Sequence, residues 1–187
     1  MTDTLSLYLD RLETPVGELL LVADDEARLR VVSWTDYEHR LYDTLLQHCG
    51  PFRLEARDDP GGVTAVMSAY FNGDLCALDR LGVHTAGTPF QRAVWSALRE
   101  IPCGTTISYG TLAARIGRPS AVRAVGLANG ANPIGIVVPC HRVIGGNGAL
   151  TGYGGGLERK RWLLEHEGYG FGSLLRRSAE ATPAESR

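Results

Sequence analysis

Apolar and polar positions alternate along the first third of the chain. Leu5–Glu13 alternates, Glu18–Ala23 is an apolar run, and Arg28–Trp34 alternates again. Thr14-Pro15-Val16-Gly17 and Asp24-Asp25-Glu26 punctuate these runs, so the pattern predicts a three-stranded meander. Asp36–Cys49 predicts a helix. Gly50–Gly62 is polar, holds two prolines and reads as a loop. Val63–Phe71 predicts a short helix stopped by Asn72-Gly73, and Gly82–Thr88 a linker or loop between two domains.

Helical spacing dominates from there. Thr88 is placed to cap a helix with Pro89 at its first position, and Phe90, Val94, Ala97, Leu98 and Ile101 fall on one face. Ser108 is placed to cap Tyr109–Ile116, with Leu112, Ala113 and Ile116 inward. Ser120 is placed to cap Ala121–Asn129, with Val122, Val125 and Ala128 inward. The joint Gly117-Arg118-Pro119-Ser120 is short, which fits a helix-turn-helix and equally the helical hairpins of many enzymes. Ile134–Val138 predicts a buried strand or extended segment ended by Pro139. Gly145–Gly156 is a glycine-rich loop, where backbone approaches something closely, and Leu157–Glu167 is the last helix. These elements suggest an α+β chain: a scaffold domain over 1–86, a mostly helical domain over 87–172, and a disordered tail over 173–187.

Composition changes this picture little. Of 187 residues 44% are hydrophobic and 21% charged, ordinary for a globular protein. Without an apolar stretch of about 18 residues or a signal-like N-terminus, no membrane partner and a cytoplasmic location are expected. Cys49, Cys76, Cys103 and Cys140 show no CxxC spacing, and no histidine sits at finger spacing from them, so reduced thiols and no metal are expected. Charge adds more. Residues 1–103 carry a net of −7 and residues 104–177 a net of +6, with four arginines and no acid between Gly104 and Leu157. The second half suits a polyanion; a solvated basic face is the plainer reading.

Ile136-Val137-Val138-Pro139-Cys140-His141-Arg142-Val143-Ile144 carries the chemistry. A cysteine is nucleophilic as the thiolate, a state favoured by cations and by a nearby base. Adjacent side chains do not face each other on regular elements, so His141 should reach Cys140 through a turn or a bridging water, with a third group orienting the ring. A buried structural cysteine is the alternative. Glu167 sits where a helix C-terminus disfavours a carboxylate, by about 0.3–1 kcal/mol. A partner such as His141 would account for it; so would simple exposure.

Pro139-Cys140-His141-Arg142-Val143 resembles the acceptor signature of the O6-alkylguanine-DNA alkyltransferases, in the stand-alone bacterial form. Arg123-Ala124-Val125-Gly126, Asn132-Pro133, Thr151-Gly152-Tyr153, Trp162-Leu163-Leu164 and His166-Glu167-Gly168 follow in the family's order and spacing. Thr14-Pro15-Val16-Gly17 and Tyr70-Phe71 match more loosely. The resemblance implies a ribonuclease H-like N-terminal sheet with flanking helices and a C-terminal domain bearing a helix-turn-helix. It implies single-turnover transfer of an alkyl group from O6-alkylguanine, and less well O4-alkylthymine, in double-stranded DNA. Cys140 would accept the group, His141 would act as base through a water, Glu167 would hold His141, and Asn132 would brace the turn. Arg123 would enter the base stack, Tyr109 would help extrude the nucleotide, and Tyr153 and Gly154 would line the pocket. Ala121, Ala124 and Gly126 would let the helix approach the minor groove, with Ser108 and Arg142 also on the DNA-binding side. No cofactor and a monomer are expected. Rival readings are a helix-turn-helix regulator, a cysteine hydrolase and a lesion binder without chemistry, although such binders lack the acceptor cysteine.

Overall fold

The structure, a computed structural model, describes residues 4–170. The expected tail over 173–187 lies outside the described residues. The meander forms as the alternation requires: β1 (Leu5–Thr14), β2 (Gly17–Asp24) and β3 (Leu29–Trp34), antiparallel in sequence order. Both faces of β2 are covered, because Leu20 and Val22 face α1 (Leu41–Cys49) while Leu19, Leu21 and Ala23 join the main core. The stretch 35–49 is not one helix: a 3-10 turn over Thr35–Arg40 precedes α1.

Segment 50–62 is not wholly a loop. Phe52–Ala56 is β4, an edge strand parallel to β1, giving the sheet order β3-β2-β1-β4. Its signal is short, only Phe52 and Leu54 on the side packed against α1, and Pro51 and Pro60 mask it. After α2 (Val63–Phe71), segment 82–88 is held rather than free. Val83 bridges Leu29, and the His84 amide donates to the Leu29 carbonyl at 2.9 Å.

α3 (Pro89–Arg99) starts with a complete capping box between Thr88 and Gln91. Its buried stripe includes Trp95, whose indole donates to the Ala128 carbonyl at 2.9 Å and fixes the end of α5 (Val122–Gly130). α4 (Tyr109–Arg115) is capped by Ser108, as expected. α5 is not capped by Ser120: its cap position is Ala121, without a side-chain bond, and the turn closes through the Ala121 amide on the Arg118 carbonyl. Val122, expected inward, is 40% exposed, whereas Val125 and Ala128 are buried. Two-residue strands β5 (Ile107–Ser108) and β6 (Val143–Ile144) pair in parallel and lead into the glycine loop and α6 (Leu157–His166). One core cluster runs from β2 and α2 through α3, α4 and α5 to Leu163, so the sheet and the helical half share an interior.

Candidate active site

Cys140 opens a 3-10 turn over Cys140–Arg142 and is 7% exposed. The chain reaches it through a bend that only specific partners can hold. Ile136, a β-branched residue, sits at φ 69°, a conformation that stores local strain. Asn132 braces that bend: its Nδ2 donates to the Val138 carbonyl at 2.8 Å, and its Oδ1 accepts the Ile134 amide at 3.0 Å. An isolated bridge between Val32 and Ile134 ties the bend to the N-terminal sheet.

Behind the thiol, His141 is fully buried, and its Nε2 lies 2.9 Å from Glu167 Oε1. A carboxylate can only accept, so Nε2 carries the proton. The neutral ring then presents a bare Nδ1 lone pair. That Nδ1 is buried with no hydrogen-bond partner among the described residues. Glu167 accepts three further bonds, from Arg142 Nε at 2.8 Å, Arg142 Nη2 at 2.9 Å and the Tyr70 hydroxyl at 2.9 Å. Arg142 also donates to the Ile101 carbonyl at 2.6 Å. It is therefore an interior brace and not the DNA-side cation expected of it: at 8% exposure its fork is spent on Glu167 and Ile101. Tyr70, from α2, was missed as a site residue.

Charge follows from these contacts. Burial would raise the Glu167 carboxyl, but the hydrogen bond from His141 and then the hydrogen bonds and charge of Arg142 prevail and hold it far below the usual range. Burial lowers His141 against the pull of Glu167, which keeps the ring neutral. Burial pushes the Cys140 thiol up, while a hydrogen bond from Asn132 and the charge of Lys160 work the other way. Lys160, also missed, is fully buried and donates to the Val143 and Thr151 carbonyls at 2.6 and 2.7 Å. Burial brings its pKa down to about 8, with the Cys140 charge opposing.

A cavity of about 490 Å³ opens on this assembly. Cys140, Asn132, Tyr109, Gly126, Tyr153 and Gly154 line it, six of the expected residues. Its far wall comes from β3 and the turn after it, including Trp34, Tyr37 and Arg40. The volume suits a small organic ligand such as a nucleobase. Arg123 and Ala124 are exposed and Ala121 half-buried, at or near the start of α5, outside the cavity lining. Ser108 is half-buried and engaged as the cap of α4, its Oγ accepting the Thr111 amide at 3.0 Å.

Residues 89–169 match the family model described as 6-O-methylguanine DNA methyltransferase, DNA binding domain. The methylated-DNA–protein-cysteine methyltransferase of Salmonella typhimurium is 54% identical over 168 residues, covering 88% of this chain and 98% of the relative. The crystal structure of Mycobacterium tuberculosis OGT in complex with DNA is 38% identical, with a TM-score of 0.69 over 91% of this chain and 99% of that one. The O6-methylguanine-DNA methyltransferase structure from Pyrococcus kodakaraensis is 28% identical, with a TM-score of 0.65 over 87% and 99%. With a thiol, a fixed imidazole and a base-sized cavity in one place, and with identity of this depth across nearly the whole length, the chain belongs to the methylated-DNA–protein-cysteine methyltransferases.

Proposed function

We propose that this protein repairs DNA by moving the alkyl group of O6-alkylguanine, and less readily of O4-alkylthymine, onto Cys140, once per molecule. The observation that carries this reading is the cavity-lining Cys140 backed by His141, whose Nδ1 is left bare by the bond to Glu167. The Cys140 sulfur attacks the alkyl carbon, the carbon–oxygen bond breaks, and its electron pair leaves with the base. The thiol proton passes through a water to His141 Nδ1. Asn132 and Lys160 favour the developing thiolate, and Tyr153 and Gly154 border the leaving base. The thioether product resists simple hydrolysis, hence the single turnover. No step calls for a cofactor.

The reacting atom is out of reach inside a duplex, so the base is rotated into the cavity at a cost of a few kcal/mol. α4 and α5 act as a helix-turn-helix, with the exposed Arg123 entering the stack and Tyr109 guiding the nucleotide out. Ala121, Ala124 and Gly126 keep that helix slim where it meets DNA. The Mycobacterium tuberculosis relative in complex with DNA supports DNA as the partner. Residues 1–86 serve as a scaffold domain, for which the order β3-β2-β1-β4 with a parallel β4 supports a ribonuclease H-like reading, and residues 87–172 as the DNA-binding and acceptor domain. The protein acts as a cytoplasmic monomer.

Duplex DNA carrying O6-methylguanine labelled on the methyl tests the reading. Label is expected to move to the protein, saturate near one equivalent and map to the peptide of Cys140. Continued release of methanol would point to a hydrolase; DNA binding without transfer would leave a lesion binder or a regulator.

The pH profile is a second test. If Nδ1 takes the proton, transfer slows once His141 is protonated, and burial places that event below the ordinary histidine value of about 6.5. Single-turnover rates are expected to hold down to about pH 6.5 and decline below it; a decline centred above that value would contradict the assignment. Stability follows the same sign. The unfolded chain protonates His141 more readily than the folded one, so the contribution of His141 is present above about pH 6.5 and lost as pH falls below it.

A further inference from the structure

We propose that Trp34, braced by Arg159, is the wall that limits the size of the alkyl group, so that the N-terminal sheet sets substrate range for the acceptor in the other half of the chain. This inference rests on the transfer reading above. Trp34 ends β3, is 4% exposed and lines the cavity with Cys140, Tyr153 and Gly155. The glycine loop is wedged against it. A Cβ at Gly155 would lie 2.4 Å from Trp34 Nε1 and 2.8 Å from Tyr153 Cε1, so only bare backbone fits between the two rings. Burial and then the Cys140 charge raise the Tyr153 hydroxyl well above its ordinary value, and a hydrogen bond with Trp34 works only partly against them.

Behind the indole, the guanidinium carbon of Arg159 stands 4.3 Å from the ring centroid. Its hydrogen bonds fix it from three directions. Nε donates to the Val16 carbonyl at 2.8 Å, while Nη1 donates to Asp36 Oδ2 at 2.6 Å and to the Gly155 carbonyl at 3.2 Å. The Thr14–Gly17 turn is shaped for this contact. Gly17 sits at φ +118°, and a Cβ there would lie 2.8 Å from Arg159 Nη2. One side chain of α6 thus ties the first turn, the end of β3 and the glycine loop together, with the Trp34 ring between it and the cavity. A ring clamped on one side cannot swing away from a bulky group entering from the other. A planar, multiply bonded guanidinium supplies that clamp, and a lysine ammonium at the same place would not.

The test uses the full-length protein and three duplexes carrying O6-methyl-, O6-butyl- or O6-benzylguanine, with single-turnover rates measured at saturating protein. Trp34→Leu is expected to raise the benzyl-to-methyl rate ratio about tenfold, as pocket changes of a few carbon atoms do. Trp34→Phe is expected to raise it less, and Arg159→Lys to raise it through the loosened ring. Thermal melting accompanies each variant, and if Trp34→Leu does not fold, Trp34→Phe and Arg159→Lys decide. A purely structural role would slow all three substrates by one factor and leave the ratio unchanged, which would overturn the proposal. Absence of methyl transfer by the unaltered protein would instead overturn the repair reading itself.

Discussion

Replacing Glu167 with Gln is expected to slow alkyl transfer by about 10²–10⁴-fold, the range a positioned general base contributes. The reason is the direction of one proton. The carboxylate accepts from His141 Nε2 and so leaves Nδ1 free. An amide at the same place has one oxygen and one N–H₂ group, against donors from His141, Arg142 and Tyr70. If its oxygen turns to Arg142, its nitrogen faces the imidazole, Nε2 must accept, and the proton moves to Nδ1, where the base is needed. Glu167→Ala removes the partner outright. It leaves the guanidinium of Arg142 at 8% exposure, together with His141 Nε2–H and the Tyr70 hydroxyl, facing a cavity. Breaking a buried ion pair in this way costs about 3–5 kcal/mol. At this chain length that lowers the melting temperature by about 6–20 °C. Single-turnover rates and thermal melts of both variants check the two effects separately. Wild-type kinetics in Glu167→Gln would remove the carboxylate from the mechanism. Because Tyr70 reaches Glu167 from α2, the same substitution should also loosen the join between the sheet and the helical half, seen as faster amide exchange in α2.

The sequence showed the reactive segment better than its support. Cys140, His141 and Glu167 were legible because nucleophile, base and a carboxylate at an unfavourable helix end each have a chemical signature. Lys160 and Tyr70 lack one, but both left a positional trace. In α6 the buried positions are Lys160, Leu163 and Leu164, followed by Glu167, spaced as one helical stripe. An ionisable residue on an apolar stripe is buried with a purpose, and the same reasoning applied to Val63, Met67 and Tyr70 in α2 places the tyrosine inward. Arg142 went the other way: the family resemblance puts it on the DNA-binding side, and only the fold shows that Glu167 and the Ile101 carbonyl absorb it. β4 was hidden by the prolines around it, and β5 and β6 are too short for any period to register. The α5 cap failed for a related reason. The tight turn closes through the Ala121 amide on the Arg118 carbonyl and puts Ala121, not Ser120, at the cap position, so the Ser120 hydroxyl stands one residue too early to serve the first helical amides. The contribution of Trp34 and Arg159 was not readable at all, since it depends on two segments more than a hundred positions apart meeting across the glycine loop.

Cys140→Ala is expected to abolish transfer completely while leaving the fold and DNA binding in place. The side chain is buried and small, so losing its sulfur costs about 1 kcal/mol, and Arg123, Tyr109 and the face of α5 are unchanged. Cys140→Ser is the sharper variant because it keeps an atom of similar reach. A serine hydroxyl is a far weaker acid than a thiol. A site whose burial already pushes a thiol up, and whose base is a neutral imidazole, cannot ionise it. Transfer should therefore fall below detection, at least about 10³-fold, with duplex affinity within about twofold of the unaltered protein. The measurement pairs labelled-methyl transfer with titration of a fluorescent duplex carrying O6-methylguanine. Loss of both transfer and binding would mean that the thiol holds the site together and would leave its chemical role undecided between scaffold and acceptor; mass mapping of the label to the Cys140 peptide in the unaltered protein resolves that case. Transfer persisting in Cys140→Ala would move the acceptor to another thiol. Cys103, half-buried beside Glu167 with its pKa raised to about 11 by burial and by that carboxylate, is the nearest alternative and is poorly suited to the task. Retained binding with no transfer is the outcome that separates a nucleophile from a packing group.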